Sequence, residues 1–430
     1  MSEDEEHTDV IVVGAGPAGC ACALTLATAG RSVILVDRGA TPGAKNVSGG
    51  RLYTAALDAL EPGLAARVPA ERRVVRERIG MLDAGDSLVV SASSPARPDG
   101  SAQSVIVIRA VLDEWMAGLA EEAGAMVVPG ITVDGIVREG GRVVGIRADG
   151  EELRADTVVA ADGTNSLLAR EVGIVSRPVA GQVATGVKEV IALPAATIEE
   201  RFGVDEGDGV AQLMVGCTRG LHGGGFLYTN AESVSLGIVV DPSGLAEAGT
   251  TPRGLLEDLR THPAIAPLVR GGDVIEYAAH LVREDGLDGV PPRLTAPGFM
   301  VTGEAAGFIL NLGYTIRGMD LAILSGLAAA RAILSGNTGE ASYRREIAAT
   351  GLLGIMRSAE GYPRFLGADR IYSDYPALAL KAAGEVFRVD DPDPRTPPTR
   401  IVPRMRKVLK DSPLRMRDLM TDARRAVKGL

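Results

Sequence analysis

The hydrophobic pattern of the first forty residues predicts a β-strand, a helix and a second strand. The run DVIVV ends in a glycine turn, the small-residue segment PAGCACALTLATAG has the character of a helix, and RSVILVDR forms a second apolar run. The stretch from Val10 to Gly30 carries no charge and is long enough to span a bilayer, but its glycines and its β-branched run favour a strand and a turn. We therefore expect a parallel sheet here and no membrane span.

Later segments predict two further regions. Arg109 opens an amphipathic helix that runs to Gly124, and short strands with Gly-Gly and Asp-Gly turns follow it. Alternating patterns such as ESVSLGIVVD then indicate an antiparallel sheet, and from Phe299 the chain returns to strand, glycine loop and helix. We expect a discontinuous Rossmann-like α/β domain at 1–170 and 297–340, an α+β domain at 171–296, and a helical C-terminal region at 341–430.

Composition excludes several functional classes. The 430 residues are 46% hydrophobic and 23% charged, as in a globular protein, but only 3% aromatic with a net charge of -10, which argues against a nucleic-acid partner. The acidic start MSEDEEHTDV does not resemble a secretory or transit signal, so we expect a cytoplasmic protein. Three cysteines cannot supply a disulfide framework or a four-cysteine cluster, and we assign no metal site.

A dinucleotide-binding motif lies between the first strand and the first helix. Gly14, Gly16 and Gly19 form G-x-G-x-x-G, and Asp37 ends the second strand. Such glycines permit a tight turn and a close approach to a pyrophosphate at the helix N-terminus, while the acid binds a ribose hydroxyl. This pattern by itself leaves FAD and NAD open.

Two distant loops resemble those of a flavoprotein family. The segments VVAADGTNS and GEAAG are similar to the second and third flavin loops of the FAD-dependent family that includes glutathione reductase and p-hydroxybenzoate hydroxylase. That family often places an arginine near the flavin at the position of Arg109. The resemblance implies FAD, with Asp162 and Gly163 by the diphosphate and ribityl chain and Glu304 on a ribityl hydroxyl.

Nearly the whole chain resembles one branch of this family. GAKNVSGGRLY, GGGFLYTN, THPAIAPLV and NLGYTIRGMDLAILSG occur in the order seen in the FixC branch of the electron-transfer flavoprotein:quinone oxidoreductases. The resemblance implies that 45–50 pass the ribityl chain and the isoalloxazine, and that 223–228 form part of the wall facing the ring. Geranylgeranyl reductases, a related group, carry a tryptophan in that wall where this chain has Phe226, Leu227 and Tyr228, which favours electron transfer.

The motif and the resemblance together define a predicted FAD site, with no residue assigned a catalytic role. The predicted cofactor-binding residues are Gly14, Ala15, Gly16, Pro17, Ala18, Gly19, Asp37, Arg38, Lys45, Asn46, Val47, Ser48, Gly49, Arg109, Val133, Ala161, Asp162, Gly163, Gly303, Glu304, Gly313 and Tyr314.

Two departures from the family pattern affect this prediction. Glu304 stands where the third loop usually has aspartate, so either the backbone shifts by about one methylene or the carboxylate bonds another group. The membrane-bound quinone oxidoreductases also carry a cysteine-ligated cluster, for which this chain lacks the cysteines. FixC-type proteins resemble this chain in that respect and depend on a separate ferredoxin-like subunit.

The helix that follows the third loop should direct its N-terminus at the flavin. In this family that end faces the pyrimidine edge, where N–H groups and a partial positive charge stabilise reduced states. We assign this role to the backbone around Gly313 and Tyr314. Arg317 either adds charge there or pairs with Asp320 or a surface acid.

The C-terminal tail is positive on an acidic protein. From Arg400 onward it contains ten Lys or Arg residues against three Asp, mixed with Val, Leu and Met at roughly helical spacing. Such a tail suits an anionic membrane surface on the inner face of the membrane, an acidic partner, or simply a solvated helix.

Three hypotheses for function remain. The leading one is an FAD-dependent oxidoreductase that takes electrons from electron-transfer-flavoprotein-like subunits and passes them to a quinone or a ferredoxin-like protein. The second is a flavin-dependent desaturase, reductase or hydroxylase of a small molecule. The third is a non-catalytic scaffold subunit that holds FAD weakly or not at all.

Overall fold

The chain forms two compact units, each built from separate stretches of sequence. The computed structural model describes residues 7–46, 49–177, 181–388 and 401–429. The first unit takes in Met1–Val74, Pro95–Val183 and Leu281–Glu360, and the second takes in Val75–Ser94, Ala184–His280 and Gly361–Leu430.

The two units contain the following strands and helices. The strands are β1 (His7–Val13), β2 (Val33–Asp37), β3 (Gly50–Tyr53), β4 (Arg72–Leu82), β5 (Ser87–Ser93), β6 (Ser104–Val107), β7 (Met126–Pro129), β8 (Val133–Glu139), β9 (Arg142–Ala148), β10 (Glu151–Ala160), β11 (Val183–Ala192), β12 (Asp208–Val215), β13 (Gly223–Thr229), β14 (Ser233–Val240), β15 (Asp273–Arg283), β16 (Thr295–Ala296), β17 (Phe299–Val301), β18 (Leu310–Asn311) and β19 (Ile316–Arg317). The α-helices are α1 (Pro17–Thr28), α2 (Ala55–Leu60), α3 (Arg109–Glu122), α4 (Leu167–Glu171), α5 (Ala195–Phe202), α6 (Pro252–Thr261), α7 (Ala266–Val269), α8 (Met319–Leu334), α9 (Glu340–Ala349), α10 (Leu352–Arg357), α11 (Tyr362–Leu366), α12 (Asp374–Phe387), α13 (Ile401–Asp411) and α14 (Met416–Gly429).

A mostly parallel sheet organises the first unit. Its order is β16-β17-β10-β1-β2-β7, and only β16 among these runs antiparallel to its neighbour. The register places Val13 opposite both Val36 and Ala160, so the carboxyl ends of β1, β2 and β10 meet at one edge. Ligands of open α/β sheets bind at such an edge.

Helices α1 and α8 pack closely against each other in this unit. A Cβ on Gly326 would lie 2.0 Å from the Ala18 carbonyl oxygen, and one on Gly303 would lie 2.8 Å from Ala18 Cβ. The small residues that the sequence shows in both helices therefore allow their backbones to approach, which fixes the position of the third loop beside the first.

An antiparallel sheet organises the second unit, as its alternating pattern predicts. Strands β15, β11, β14, β13 and β12 follow one another, β4 pairs with β12, and β5 pairs with β4. Apolar side chains of this sheet pack with those of α5, α6 and α7 in one hydrophobic core, which includes Leu227, Leu236, Phe202, Leu256 and Val269.

The division into units differs from the predicted domain limits in two places. Residues 75–94, predicted in the first domain, belong to the second unit, because the β4–β5 hairpin extends its sheet and Gly80 contacts Met214. The predicted C-terminal region is split. Tyr343 donates to the Val301 carbonyl inside the first unit, whereas Pro376 of α12 packs on Gly216 in the second.

Within the described residues, every helix is too short or too polar to cross a bilayer.

Candidate functional site

The glycine loop after β1 is so tightly enclosed that only glycine fits at two of its positions. Gly14 has φ of +107°, and a Cβ there would lie 2.4 Å from the Ala161 carbonyl oxygen. A Cβ on Gly19 would lie 1.9 Å from the Gly14 carbonyl oxygen. The loop therefore brings the end of β1, the start of α1 and the segment after β10 together.

The start of α1 is suited to binding an anion. Gly16 is the N-cap, none of the described side chains caps the helix, and Pro17 occupies the first turn, so the following N–H groups face outward from the helix end. A Cβ on Gly16 would lie 3.5 Å from Nη2 of Arg109, which places a guanidinium beside the same helix end. Backbone donors and a cation thus converge where a pyrophosphate would bind.

Arg109 is held in place by a buried carboxylate. Its Nε and Nη2 donate to the two oxygens of Asp113 at 2.9 and 2.8 Å, and Asn46 Nδ2 donates to Asp113 Oδ2 at 2.8 Å. Burial lowers the pKa of Arg109, but Asp113 and, more weakly, Glu304 raise it by more, so the guanidinium stays charged. The sequence prediction missed Asp113, although its position four residues after Arg109 on one helix was a usable signal.

Asp37 closes the glycine loop from the neighbouring strand. Its Oδ2 accepts from the Ala15 N–H at 2.9 Å, and its Oδ1 accepts from the Gly39 N–H at 2.7 Å. Each carboxylate oxygen can accept a further hydrogen bond, so Asp37 can hold the loop and still bind a hydroxyl. Ile131 N donates to the Asp37 carbonyl oxygen, which brings the segment before Val133 to the same edge.

Asp162 carries a buried oxygen that lacks a partner. Its Oδ2 accepts from the Leu168 N–H at 3.0 Å, but its Oδ1 is buried and has no hydrogen-bond partner within the described part of the chain. Burial raises the pKa of this carboxyl, partly offset by the Leu168 N–H and by Arg38. A buried acceptor without a partner is rare in folded proteins and is satisfied when a polar ligand group binds.

The third loop is fastened to its surroundings by hydroxyl groups. Ser325 Oγ of α8 accepts from Thr302 Oγ1 at 2.8 Å and from the Gly303 N–H at 2.9 Å. Ser166 Oγ of the second loop donates to the Ala305 carbonyl at 3.1 Å. The loop carrying Glu304 is therefore fixed to both the second loop and α8, and the charge of Glu304 acts on Arg109.

The segment before α8 carries Gly313 and Tyr314. The Gly313 N–H, assigned to the flavin from the sequence, donates to Asn311 Oδ1 at 2.9 Å within the β18–β19 hairpin. Helix α8 begins only at Met319, where no side chain caps it. Tyr314 is 48% exposed. The N-terminus of α8 is therefore at Gly318, and the role of Gly313 and Tyr314 at the flavin stays a prediction.

Arg317 pairs with Asp320, which was one of the two alternatives that the sequence left open. Its Nε and Nη2 donate to Asp320 Oδ2 at 2.9 and 2.5 Å, and Asp320 is 2% exposed. Burial raises the pKa of Asp320, and Arg317 opposes that shift. The Tyr53 ring, which the prediction missed, has its centroid 4.7 Å from Arg51 Cζ and 4.8 Å from Arg317 Cζ, so it contacts two cations.

The other predicted site residues lie outside the contacts described above. Lys45 and Arg38 are exposed, Gly49 is buried with φ of +73°, and Val133 opens β8. Val47 and Ser48 lie outside the described residues. The structure thus brings together the first, second and third loops with Arg109, while the contacts of 45–49 with a cofactor stay a prediction.

His222 has a structural environment in the second unit. Its Nε2 lies 2.5 Å from Asp369 Oδ1, and its ring stacks on Tyr372 with centroids 5.0 Å apart. These contacts tie the start of β13 to the C-terminal helices, which explains this histidine without a catalytic role.

Comparison with known proteins identifies the family. A model of the FAD binding domain matches residues 7–218. The chain is 42% identical to Protein FixC of Salmonella typhi over 420 residues, covering 95% of each chain. It is also 42% identical to the probable electron transfer flavoprotein-quinone oxidoreductase YdiS of Escherichia coli strain K12, covering 91% of this chain and 92% of that protein.

The chain belongs to the family of FixC and the electron transfer flavoprotein-quinone oxidoreductases.

Solved structures confirm the fold expected for a member of the FixC family. A geranylgeranyl bacteriochlorophyll reductase-like protein from Thermoplasma acidophilum superposes with a TM-score of 0.72 at 20% identity, covering 98% of this chain and 99% of that one. The flavin-dependent brominase Bmp2 superposes with a TM-score of 0.62 at 15% identity, covering 88% and 99%. At these identities the likeness establishes the fold alone. Family membership makes this chain an FAD-dependent oxidoreductase, as the sequence predicted.

Proposed function

We propose that this FAD-dependent oxidoreductase takes electrons from an electron-transfer-flavoprotein-like protein and passes them to a quinone or to a ferredoxin-like protein. The observation that carries the proposal is the 42% identity to YdiS over 91% of the chain, since that relative is named for both a flavoprotein donor and a quinone acceptor. A ferredoxin-like acceptor is included because three cysteines cannot ligate a four-cysteine cluster within this chain.

The residues around the first loop fit the cofactor. The backbone N–H groups after Gly16 and the Arg109 guanidinium would hold the diphosphate, and Asp37 would bind a ribose hydroxyl. The partnerless Oδ1 of Asp162 would accept from a ribityl hydroxyl. When bound, FAD supplies exchange of one or two electrons, which suits transfer between a flavoprotein and a quinone or an iron-sulfur protein.

The Arg109 guanidinium is the cation placed to bind the diphosphate. Arg109 is kept in position and charged by Asp113, so its field acts at a fixed place and needs little reorganisation. Arg317 forms the same kind of pair with Asp320, but it is Arg109 whose guanidinium lies beside the N-terminus of α1. Hence Arg109 is the cation on which binding and orientation of the cofactor chiefly depend.

We propose that the protein acts in the cytoplasm, at the inner face of the membrane. The positive tail of an otherwise acidic protein supports that position, and quinones partition into the bilayer.

Anaerobic reduction of the purified FAD-loaded protein tests the proposal. We expect a reduced electron-transfer-flavoprotein-like protein from the same genome to bleach the flavin absorbance near 450 nm, and a water-soluble quinone or a ferredoxin-like protein to restore it. NADH, NADPH and a panel of isoprenoid and aromatic small molecules serve as comparison reactants. Rapid turnover of a small molecule with no reduction by any flavoprotein donor would contradict the proposal.

A further inference from the structure

Strand β15 lies at the edge of the antiparallel sheet and is open to solvent on both faces. Within the described part of the chain, only β11 pairs with it. Eight of its eleven residues are exposed, and the apolar Val274 and Ile275 are 41% and 64% exposed. Because neighbouring residues of a strand point to opposite faces, these two side chains show that neither face of β15 is covered.

The sequence of β15 lacks the residues that usually protect an edge strand. Natural sheets often blunt an exposed edge with lysine or proline, which discourage pairing with another chain. The eleven residues DVIEYAAHLVR contain neither, and their one arginine, Arg283, is 7% exposed. Tyr277 and Leu281 add apolar surface, at 44% and 43% exposed. A strand of this length and composition is therefore suited to pairing with a further strand.

The backbone of β15 determines which residues can pair across this edge. The Glu284 N–H donates to the Gln182 carbonyl, just before β11, at 3.0 Å. Successive residues of a strand direct their N–H and C=O groups to alternate sides, so the odd-numbered residues from 275 to 279 direct theirs to the open edge. Thr164 Oγ1 donates to the Leu281 carbonyl at 3.3 Å on that same side. A carbonyl oxygen accepts two hydrogen bonds, so this contact leaves the Leu281 carbonyl able to pair.

We propose that β15 pairs with β15 of a second copy of this chain, antiparallel, with the two-fold axis at Ala278. In this register Glu276 of one copy lies opposite His280 of the other, and Ile275 lies opposite Leu281. Odd-numbered residues then meet odd-numbered residues, as a hydrogen-bonded ladder between two open edges requires. The inference concerns assembly alone and does not depend on the proposed electron transfer.

The strand matches its own reverse in this register only. Moving the axis by two residues places Glu276 opposite Glu276 in one direction and His280 opposite His280 in the other. Moving it by one residue places both side chains opposite apolar residues. A carboxylate opposite an imidazole forms a hydrogen bond or an ion pair, whereas two carboxylates repel, so the sequence selects one alignment with itself. Such self-complementarity is what a two-fold contact between identical chains requires, because the same surface occurs on both sides.

Sedimentation velocity of the full-length FAD-loaded protein tests the assembly. One pair of strands buries less surface than a standard interface, so we expect a monomer–dimer equilibrium with a Kd on the order of 10 µM. Ala279→Pro removes an N–H that faces the open edge and should weaken dimerisation about thirtyfold or more, with FAD affinity unchanged. A wild-type protein that stays monomeric at about 200 µM would overturn the proposal. If Ala279→Pro instead prevented reduction of that monomer by a flavoprotein donor, the edge would belong to another protein.

Cysteine cross-linking tests the register. Ala278 lies opposite its own counterpart in a pair without mutual hydrogen bonds, where the Cα atoms are about 4.5 Å apart, within the range that a disulfide spans. Ala278→Cys should therefore give a disulfide-linked dimer on mild oxidation. Ala279→Cys is the matched control. It lies opposite Tyr277, with its counterpart beyond about 7 Å, and should cross-link at least about tenfold more slowly.

The wild-type protein gives the background from its three native cysteines. Equal rates in the two cysteine variants, or no cross-linked dimer of Ala278→Cys, would overturn the register.

Charge substitutions test the pairing of Glu276 with His280. His280→Glu places two carboxylates opposite each other twice in the dimer and should raise the Kd of dimerisation about tenfold. Adding Glu276→His to this variant restores a carboxylate opposite an imidazole and should return the Kd to within about threefold of wild type. A double variant as weak as the single one would contradict the proposed pairing.

Discussion

At the scale of single residues, the site depends on glycines, and the reason for glycine differs from one position to another. Gly19 and Gly14 are glycine because a Cβ would overlap with backbone atoms, those of Gly14 in the case of Gly19 and those of Ala161 in the case of Gly14. Gly16 has an ordinary extended backbone and room for a Cβ within the protein, at 3.5 Å from Arg109. The first two are thus required by the fold, whereas Gly16 leaves space beside the anion-binding helix end.

Replacing these glycines should therefore separate folding from cofactor binding. We expect Gly16→Ala to fold with a free energy of unfolding within about 1 kcal/mol of wild-type apoprotein, because a Cβ there meets only ordinary contacts. It should bind FAD at least about tenfold more weakly, because the methyl group occupies the cradle. Gly19→Ala should lose both the stability of the fold and the affinity for FAD. Titration of the apoproteins with FAD and urea unfolding measure the two effects, and normal FAD affinity in Gly16→Ala would contradict the assignment.

Asp162 should make the apoprotein sensitive to pH. Because burial raises the pKa of this carboxyl, the folded state holds its proton more tightly than the unfolded state. The ionised Asp162 carboxylate destabilises the folded state. This effect is absent below about pH 3.9, the pKa of the carboxyl in the unfolded chain, and it grows as the pH rises through the higher pKa that the carboxyl has in the folded state. Asp162→Asn should therefore be more stable than wild-type apoprotein at pH 7, and the difference should vanish as pH approaches 4. Urea midpoints across this range give the test, and a constant difference would contradict it.

The same variant should bind FAD more weakly even though its apoprotein is more stable. An asparagine whose oxygen accepts from the Leu168 N–H presents its NH₂ group where Oδ1 lacks a partner, so the acceptor is lost. Loss of a hydrogen bond to a charged acceptor costs about 1.5–3 kcal/mol, or roughly tenfold to a hundredfold in affinity. Isothermal titration at pH 7 measures this, and unchanged affinity would remove Asp162 from the site.

At the scale of elements, the crossing of α1 and α8 determines where the loops meet. The crossing is close because Gly326 faces the Ala18 backbone. Since α1 follows the first loop and Ser325 of α8 binds the third, any change in their separation moves the two loops apart.

Helix packing at this crossing can be tested with a matched pair of glycine substitutions. Gly326→Ala places a Cβ 2.0 Å from the Ala18 carbonyl oxygen and should lower the free energy of unfolding by about 1–3 kcal/mol. Gly118→Ala, inside α3 with no atom within 4 Å of its Cβ, should raise it by up to about 1 kcal/mol, because alanine is the better helix former. Chemical unfolding of the two variants compares them, and equal stabilities would contradict the close crossing.

Local patterns predicted most of these elements, whereas contacts between distant segments escaped prediction. The β-branched run, the glycines and Asp37 define the βαβ unit within forty residues, and the resemblance added the second and third loops. The hydrogen bond that Asn46 donates to Asp113 and the contact of Arg317 with the Tyr53 ring join residues far apart in sequence, which periodicity does not reveal. The bond from the Gly313 N–H to Asn311 Oδ1 was not predicted either, and the role of Gly313 at the flavin stays a prediction.

At the scale of the whole molecule, two units are built from interleaved stretches of the chain. Boundaries based on changes of sequence pattern place the β4–β5 hairpin in the first domain, because an alternating strand looks the same whichever sheet it joins. Family membership, by contrast, was predictable, because GAKNVSGGRLY and NLGYTIRGMDLAILSG are specific and FixC of Salmonella typhi matches 95% of the chain.

A crystal structure of the protein with FAD bound would test the central claim most directly, namely that distant segments of the first unit converge on one cofactor. We expect the diphosphate to lie against the N–H groups after Gly16 and the Arg109 guanidinium, with Asp37 on a ribose hydroxyl and Asp162 Oδ1 accepting from the ribityl chain. A cofactor bound elsewhere, with these groups left facing solvent or one another, would contradict the account.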